Sequence, residues 1–107
     1  MEETRVVLLT APDLETAEGI VETLVEEGVI ACGNILPGLT SIYRWQGKVE
    51  KSSEVQVIMK TTSEEVQRLL DRVPELHPYD VPEVLIIPVE SGLQAYLSWV
   101  QESVGRV

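Results

Sequence analysis

Between residues 39 and 60 the chain carries the pattern of one long β-hairpin, and no other feature restricts its fold as much. Leu39 to Gln46 is β-prone and Gly47 marks a tip. On the return, Val49, Lys51, Val55, Val57 and Met59 alternate with Glu54, Gln56 and Lys60, as along an antiparallel strand. The same alternation places Tyr43 and Trp45 on one face. In a chain of 107 residues such a hairpin exceeds what a single core can cover. Two outcomes follow from residue chemistry alone. Either the exposed strand edges pair with another chain, or the two rings fold back over their own sheet.

The segments around the hairpin have clear identities. Arg5 to Leu9 is a short Val/Leu run that ends in Thr10-Ala11-Pro12-Asp13, which predicts a buried strand followed by a helix start with Asp13 as N-cap. Leu14, Ala17, Val21, Leu24 and Val25 recur at helical spacing up to Glu27, and Gly28 supplies a left-handed stop. Val29 to Leu36 is mostly apolar and leads into the hairpin, with Pro37-Gly38 predicting a kink or bulge. Thr62 with Glu65 reads as a capping box for a second helix carrying Val66, Leu69, Leu70 and Val73, and Pro74 is expected to limit that helix. Val84 to Ile87 predicts a fourth strand, which Pro88 either places at an edge or interrupts with a bulge. Ser91 with Gln94 repeats the capping spacing ahead of a C-terminal helix whose apolar face is Leu93, Tyr96, Leu97, Val100 and Val104.

The order β-α-β-β-α-β-α, with right-handed crossovers, predicts one α/β (α+β) domain over residues 1–107. It is a ferredoxin-like βαββαβ sandwich with an extra C-terminal helix and a four-stranded antiparallel sheet in the spatial order 4-1-3-2.

A formal net charge of −10 and the lack of any basic run argue against nucleic acid and anionic membrane as partners and favour cations. The N-terminal residues Met1 to Arg5 lack a basic segment followed by an apolar one, and no stretch approaches the roughly 20 apolar residues of a bilayer span. A single cysteine, Cys32, excludes an internal disulfide. A cytoplasmic location is the expectation.

Cys32 follows Ile30-Ala31 in an apolar run and reads either as a small buried residue or as a soft ligand. His77, the single histidine, reads either as structural or as a metal or proton site. The chain has no nucleophile elbow, phosphate-binding loop or dinucleotide glycine pattern, so no catalytic residue and no nucleotide or organic cofactor is assigned. A Cys32–His77 dyad is the one enzymatic arrangement its residue types allow.

Five strings then converge: Val7-Leu8-Leu9-Thr10-Ala11-Pro12-Asp13, Ala31-Cys32-Gly33-Asn34-Ile35-Leu36-Pro37-Gly38, Thr40 to Glu50 with Tyr43-Arg44-Trp45-Gln46-Gly47-Lys48 at its centre, Lys60-Thr61-Thr62, and His77-Pro78-Tyr79-Asp80-Val81-Pro82-Glu83. Together with Tyr96-Leu97-Ser98-Trp99 they resemble the CutA divalent cation tolerance family over essentially the whole chain. The resemblance implies a homotrimer whose hairpins extend into neighbouring sheets, with Tyr43 and Trp45 at the interface, and clefts between subunits. In such a cleft Cys32 and His77 of adjacent subunits would meet Glu50, Glu54, Asp80 or Glu83 and take copper or another divalent cation. Leu9 and Leu76 stand where family members with proposed copper sites carry a cysteine and a first histidine, so only His77 of that set is present. The similarly folded nitrogen-regulatory PII signalling proteins suggest an alternative, a trimeric module for a non-metal small ligand.

Overall fold

The structure, a computed structural model, describes residues 3–105; Met1, Glu2, Arg106 and Val107 lie outside the described residues. The elements are β1 (Thr4–Ala11), α1 (Leu14–Glu26), β2 (Cys32–Trp45), β3 (Lys48–Thr62), a 3-10 turn (Ser63–Glu65), α2 (Val66–Leu76), β4 (Leu85–Pro88) and α3 (Gln94–Ser103). They form one antiparallel sheet ordered β2-β3-β1-β4, the expected arrangement. β1 lies inside it, paired along its whole length to β3 from Thr4↔Thr62 to Ala11↔Val55, and to β4 from Arg5↔Pro88 to Leu8↔Leu85.

Alternation along β1 separates the two faces of the sheet. Val7, Leu9 and Ala11 are fully buried and pack with Val57, Met59, Ala17, Leu24, Leu69 and Val73, so α1 and α2 cover that side. Gly33 lets α1 approach β2 closely, because a Cβ there would lie 2.8 Å from Val21 Cγ1. On the opposite face, Val6, Leu8 and Ile58 are half-buried while Leu85 and Ile87 are exposed. α3 reaches across one end of this face, where Val100 is fully buried and Tyr96 meets Cys32. The rest of its predicted apolar face is only partly covered: Leu97 and Val104 are half-buried, while Tyr96 is exposed and Leu93 is 76% accessible.

Local chemistry explains most element boundaries. Asp13 caps α1, its carboxylate accepting the Thr16 N–H at 2.8 Å, and that bond holds its pKa below the ordinary value. Gly28 takes φ +73° and turns the chain out of the helix. The hairpin tip has two left-handed residues, Gln46 at φ 50° and Gly47 at φ 82°, which match the twist of the flanking strands. Pro37-Gly38 produces the expected irregularity as a register shift between Leu36 and Leu39 within one continuous strand, β2. α1 and α2 are tied outside the core by Arg72, which donates from Nε and Nη2 to Glu27 at 2.9 Å each; this pairing lowers the Glu27 pKa.

Three expectations are corrected. Thr62 does not cap the second helix: it belongs to β3, its hydroxyl oxygen is buried without a partner, and the helix starts through a 3-10 turn. Ser91 lies too far ahead of α3, whose N-cap is Leu93, and Gln94 bonds Ser98 Oγ instead. Pro74 sits inside α2, which continues to Leu76. The bond lost there lies between two exposed residues, Leu70 and Pro74, where water can satisfy the freed carbonyl.

The Gly28 carbonyl oxygen also accepts the Gly105 N–H at 2.8 Å, and a Cβ at Gly28 would fall 1.8 Å from Gly105 O. Gly28→Ala therefore combines a left-handed backbone with expulsion of the C-terminal segment. We expect it to lower unfolding free energy by about 2–3 kcal/mol in urea titration, the cost of one strained residue together with one displaced contact.

Candidate functional site

The polar chemistry of the molecule gathers where β1 ends and the hairpin continues beyond it. β4 stops pairing at Leu8↔Leu85, so β1 runs on past it to Ala11. Even-numbered β1 residues turn their backbone groups toward β4, as the Val89 N–H to Thr4 O bond indicates, and this leaves the Thr10 carbonyl without a strand partner. His77 fills that position. Its Nε2 lies 2.7 Å from Thr10 O, and its Nδ1 lies 3.1 Å from the Tyr79 backbone N. Thr10 O can only accept and Tyr79 N–H can only donate, so His77 is the neutral tautomer with the proton on Nε2. The ring is 6% exposed and stacks obliquely on Tyr79, with centroids 4.7 Å apart.

Tyr79 extends the network to the hairpin. Its hydroxyl donates to Glu54 Oε2 at 2.6 Å, and burial followed by this bond pushes the phenol pKa well above its usual value. Glu54 is the first β3 residue beyond the segment paired with β1. Further out, Ser52 Oγ donates to Tyr43 OH at 3.4 Å.

The residues singled out from sequence separate into three places. Cys32 is a half-buried free thiol at the start of β2, with Sγ 3.6 Å from Tyr96 OH, and that contact, with burial second, raises the tyrosine pKa. Cys32 lies level with Val6 through its pairing to Lys60, on the face away from α1 and α2. His77 is three strand positions across and four residues along, roughly 15–20 Å away at ~4.8 Å per strand and ~3.3 Å per residue. No Cys32–His77 dyad forms within one chain. Glu50, Asp80 and Glu83 are all exposed, Glu50 opposite Tyr43 on the hairpin and the other two in the loop before β4. Tyr43 and Trp45 stand on the hairpin as alternation requires, about half exposed at 44% and 51%. Among the described residues no three of His, Cys, Asp and Glu converge to hold a metal ion, and a cation at His77 would have to displace one of its two bonds. The donor set of a single chain therefore does not fit a soft metal centre.

Tyr79 and Tyr96 were not identified as functional from sequence. The one available signal was Tyr79 between Pro78 and Asp80, a large ring in a loop with no helical or strand period to bury it.

A four-stranded ferredoxin-like sheet with two open edges, helices on one face and an overhanging aromatic hairpin defines the class of α/β domain. Comparison with known proteins agrees on the fold and goes further. Residues 5–103 match the family model of the CutA1 divalent ion tolerance protein. The divalent-cation tolerance protein CutA of Thermus thermophilus is 50% identical over 100 residues, covering 94% of this chain and 97% of that protein. Its Salmonella newport counterpart is 47% identical over 98 residues, covering 92% and 85%. The solved structure of the Thermus thermophilus protein superposes with a TM-score of 0.92 over 98% of this chain and 100% of that one. The chain belongs to the CutA1 divalent ion tolerance family.

The Tyr79–Glu54 bond carries a pH signature. Tyr79 keeps its proton in the folded chain beyond the value of 10.0 at which an unperturbed tyrosine ionises. Its contribution is thus complete below about pH 10 and is lost as pH rises further. We expect Tyr79→Phe to cost about 1 kcal/mol at pH 8. Denaturant midpoints should then show the gap from wild type closing toward pH 11.

Proposed function

We propose that this CutA-family protein works as a homotrimer whose hairpins cross onto neighbouring subunits, and that divalent cations, copper among them, are met in the clefts between subunits. The observation that carries this reading is the overhang. From Glu54 to the tip, β3 pairs only with β2, and Ile42, Tyr43, Trp45 and Val49 are exposed along it. A two-stranded ribbon is marginal in water by itself, so a neighbouring surface is what makes this one stable.

Two further features support a second and third copy as that surface. The outer edges of β2 and β4 are both unpaired within the chain, and β4 adds exposed Leu85 and Ile87. The hairpin carries Arg44, Lys48 and Lys51 in a chain whose net charge is −10, so its tip is drawn to the acidic body of another copy. Assembly also brings together donors that one chain keeps apart: Cys32 and the exposed carboxylates belong to different regions of the monomer but can face one another across a boundary.

Sedimentation equilibrium at micromolar concentration is expected to give a trimer, and a monomer would overturn the assembly. Trp45→Ala should weaken association by about 2 kcal/mol per interface, the scale of a buried aromatic anchor. Calorimetric titration with copper(II) and with zinc tests the cation reading. Heat is expected from the wild type, reduced in Glu50→Gln and Glu83→Gln and retained in His77→Gln; a flat trace for both metals refutes it.

A further inference from the structure

The sheet face turned away from α1 and α2 holds one charged strand residue over the length that β1 supports. In the observed register, Lys60 stands on that face between Val6 of β1 and Cys32 of β2, and every other strand residue turned the same way there is apolar or neutral. Lys60 is half-buried. Its Nζ donates to Asn34 Oδ1, and among the described residues no carboxylate pairs with it. An ammonium carries three donors, so a chain with 18 acidic side chains has left this one with a single neutral partner.

Asn34 supplies a second donor at the same point. An ammonium can only donate, which fixes the amide oxygen of Asn34 on Lys60 and leaves its NH2 group beside that contact. No acceptor within the chain takes this NH2 group among the described residues. Apolar surface continues from there. Ile58 lies opposite Asn34 in the register and is half-buried, and Leu36, two residues further along β2, is 49% exposed.

We propose that Lys60 and Asn34 form a binding site for a small monocarboxylate. One carboxylate oxygen takes the ammonium, the other takes the Asn34 NH2 group, and the hydrocarbon part lies along Ile58 and Leu36. A single positive charge matches a single negative one, whereas a dianion would bring a second charge onto an apolar face with nothing to pair it. Two adjacent donors suit the two oxygens of a planar carboxylate. A second copy laid on this face by the same strand residues would bring no acid to Lys60, which favours a free anion. Both donors belong to one chain, so the site does not depend on the assembly or cation readings above.

Butyrate is a suitable probe, titrated into the full chain at pH 7 and constant ionic strength while backbone amides are followed by nitrogen-15 NMR. Saturable shifts are expected around residues 32–34 and 58–60 at concentrations on the order of millimolar, with α1 and α2 unaffected. Butyramide, which has the same shape and no charge, should leave them unmoved. Lys60→Met should weaken butyrate about tenfold or more, the effect of losing a charged hydrogen bond. Asn34→Asp keeps the side-chain shape but sets a carboxylate of the chain itself against the ammonium, so it should block butyrate to a similar extent. The site is overturned by the absence of saturable shifts at these residues, by equal response to butyramide, or by either variant binding butyrate as the wild type does. It is equally overturned if butyrate has no effect while Lys60→Met alters the sedimentation of the protein, a result that would assign the ammonium to a carboxylate of another copy.

Discussion

The mismatch between a short inner strand and a long outer hairpin governs this molecule. β1 offers eight residues of pairing, and β3 is fifteen residues long. Hydrogen bonding along β1 ends at Ala11↔Val55, so everything from Glu54 to the tip is a two-stranded ribbon with no helix beneath it. The molecule is accordingly elongated, 44 Å in its longest dimension against 26 and 22 Å. Exposed aromatics, unpaired edges and the polar network at the end of β1 are all consequences of the place where that pairing stops.

The root of the overhang is where such a ribbon needs support most, and the Tyr79–Glu54 bond sits there. A lone hydrogen bond between exposed groups contributes little, but this one draws on a carboxylate acceptor and a partly buried phenol. It is also backed by His77, whose two ring bonds hold the turn that presents Tyr79. The network therefore joins the end of β1, the C-terminus of α2, the loop before β4 and the hairpin. A residue read from sequence as a metal candidate is, in the folded chain, the joint of four elements.

How far the sequence could be read depended on how many residues each signal averaged over. Alternation along the hairpin and helical recurrence from Leu14 to Val25 involve many side chains, and the sheet order they imply, 4-1-3-2, is the one observed. Asp13 and Gly28 were legible because each meets a local need that few other residues satisfy. The capping patterns at Thr62 and Ser91 rested on two residues each. Thr62 was claimed instead by pairing with Thr4, a contact 58 positions away that no local pattern reveals. His77 and Tyr79 were opaque for the same reason: what each does depends on Thr10 and Glu54, brought close only by the sheet register.

Two core positions bear on the soft-metal site that the family resemblance implies. Leu9 and Leu76 occupy positions where members with proposed copper sites carry a cysteine and a histidine. Here Leu9 is fully buried against α1 and α2, and Leu76 packs on the same cluster. Putting a thiol back at Leu9 removes about two methylene-sized groups from a closed core, a loss on the order of 2 kcal/mol before any ligand is gained. A histidine at Leu76 would bring a polar ring against apolar neighbours with no acceptor assigned to it. Both side chains serve packing here, and the accessible carboxylates Glu50, Asp80 and Glu83 are on the hairpin and in the loop before β4. Among the described residues these donors do not converge within one chain, so the cation reading proposed above stands or falls with the assembly that would bring one copy's hairpin to another's loop.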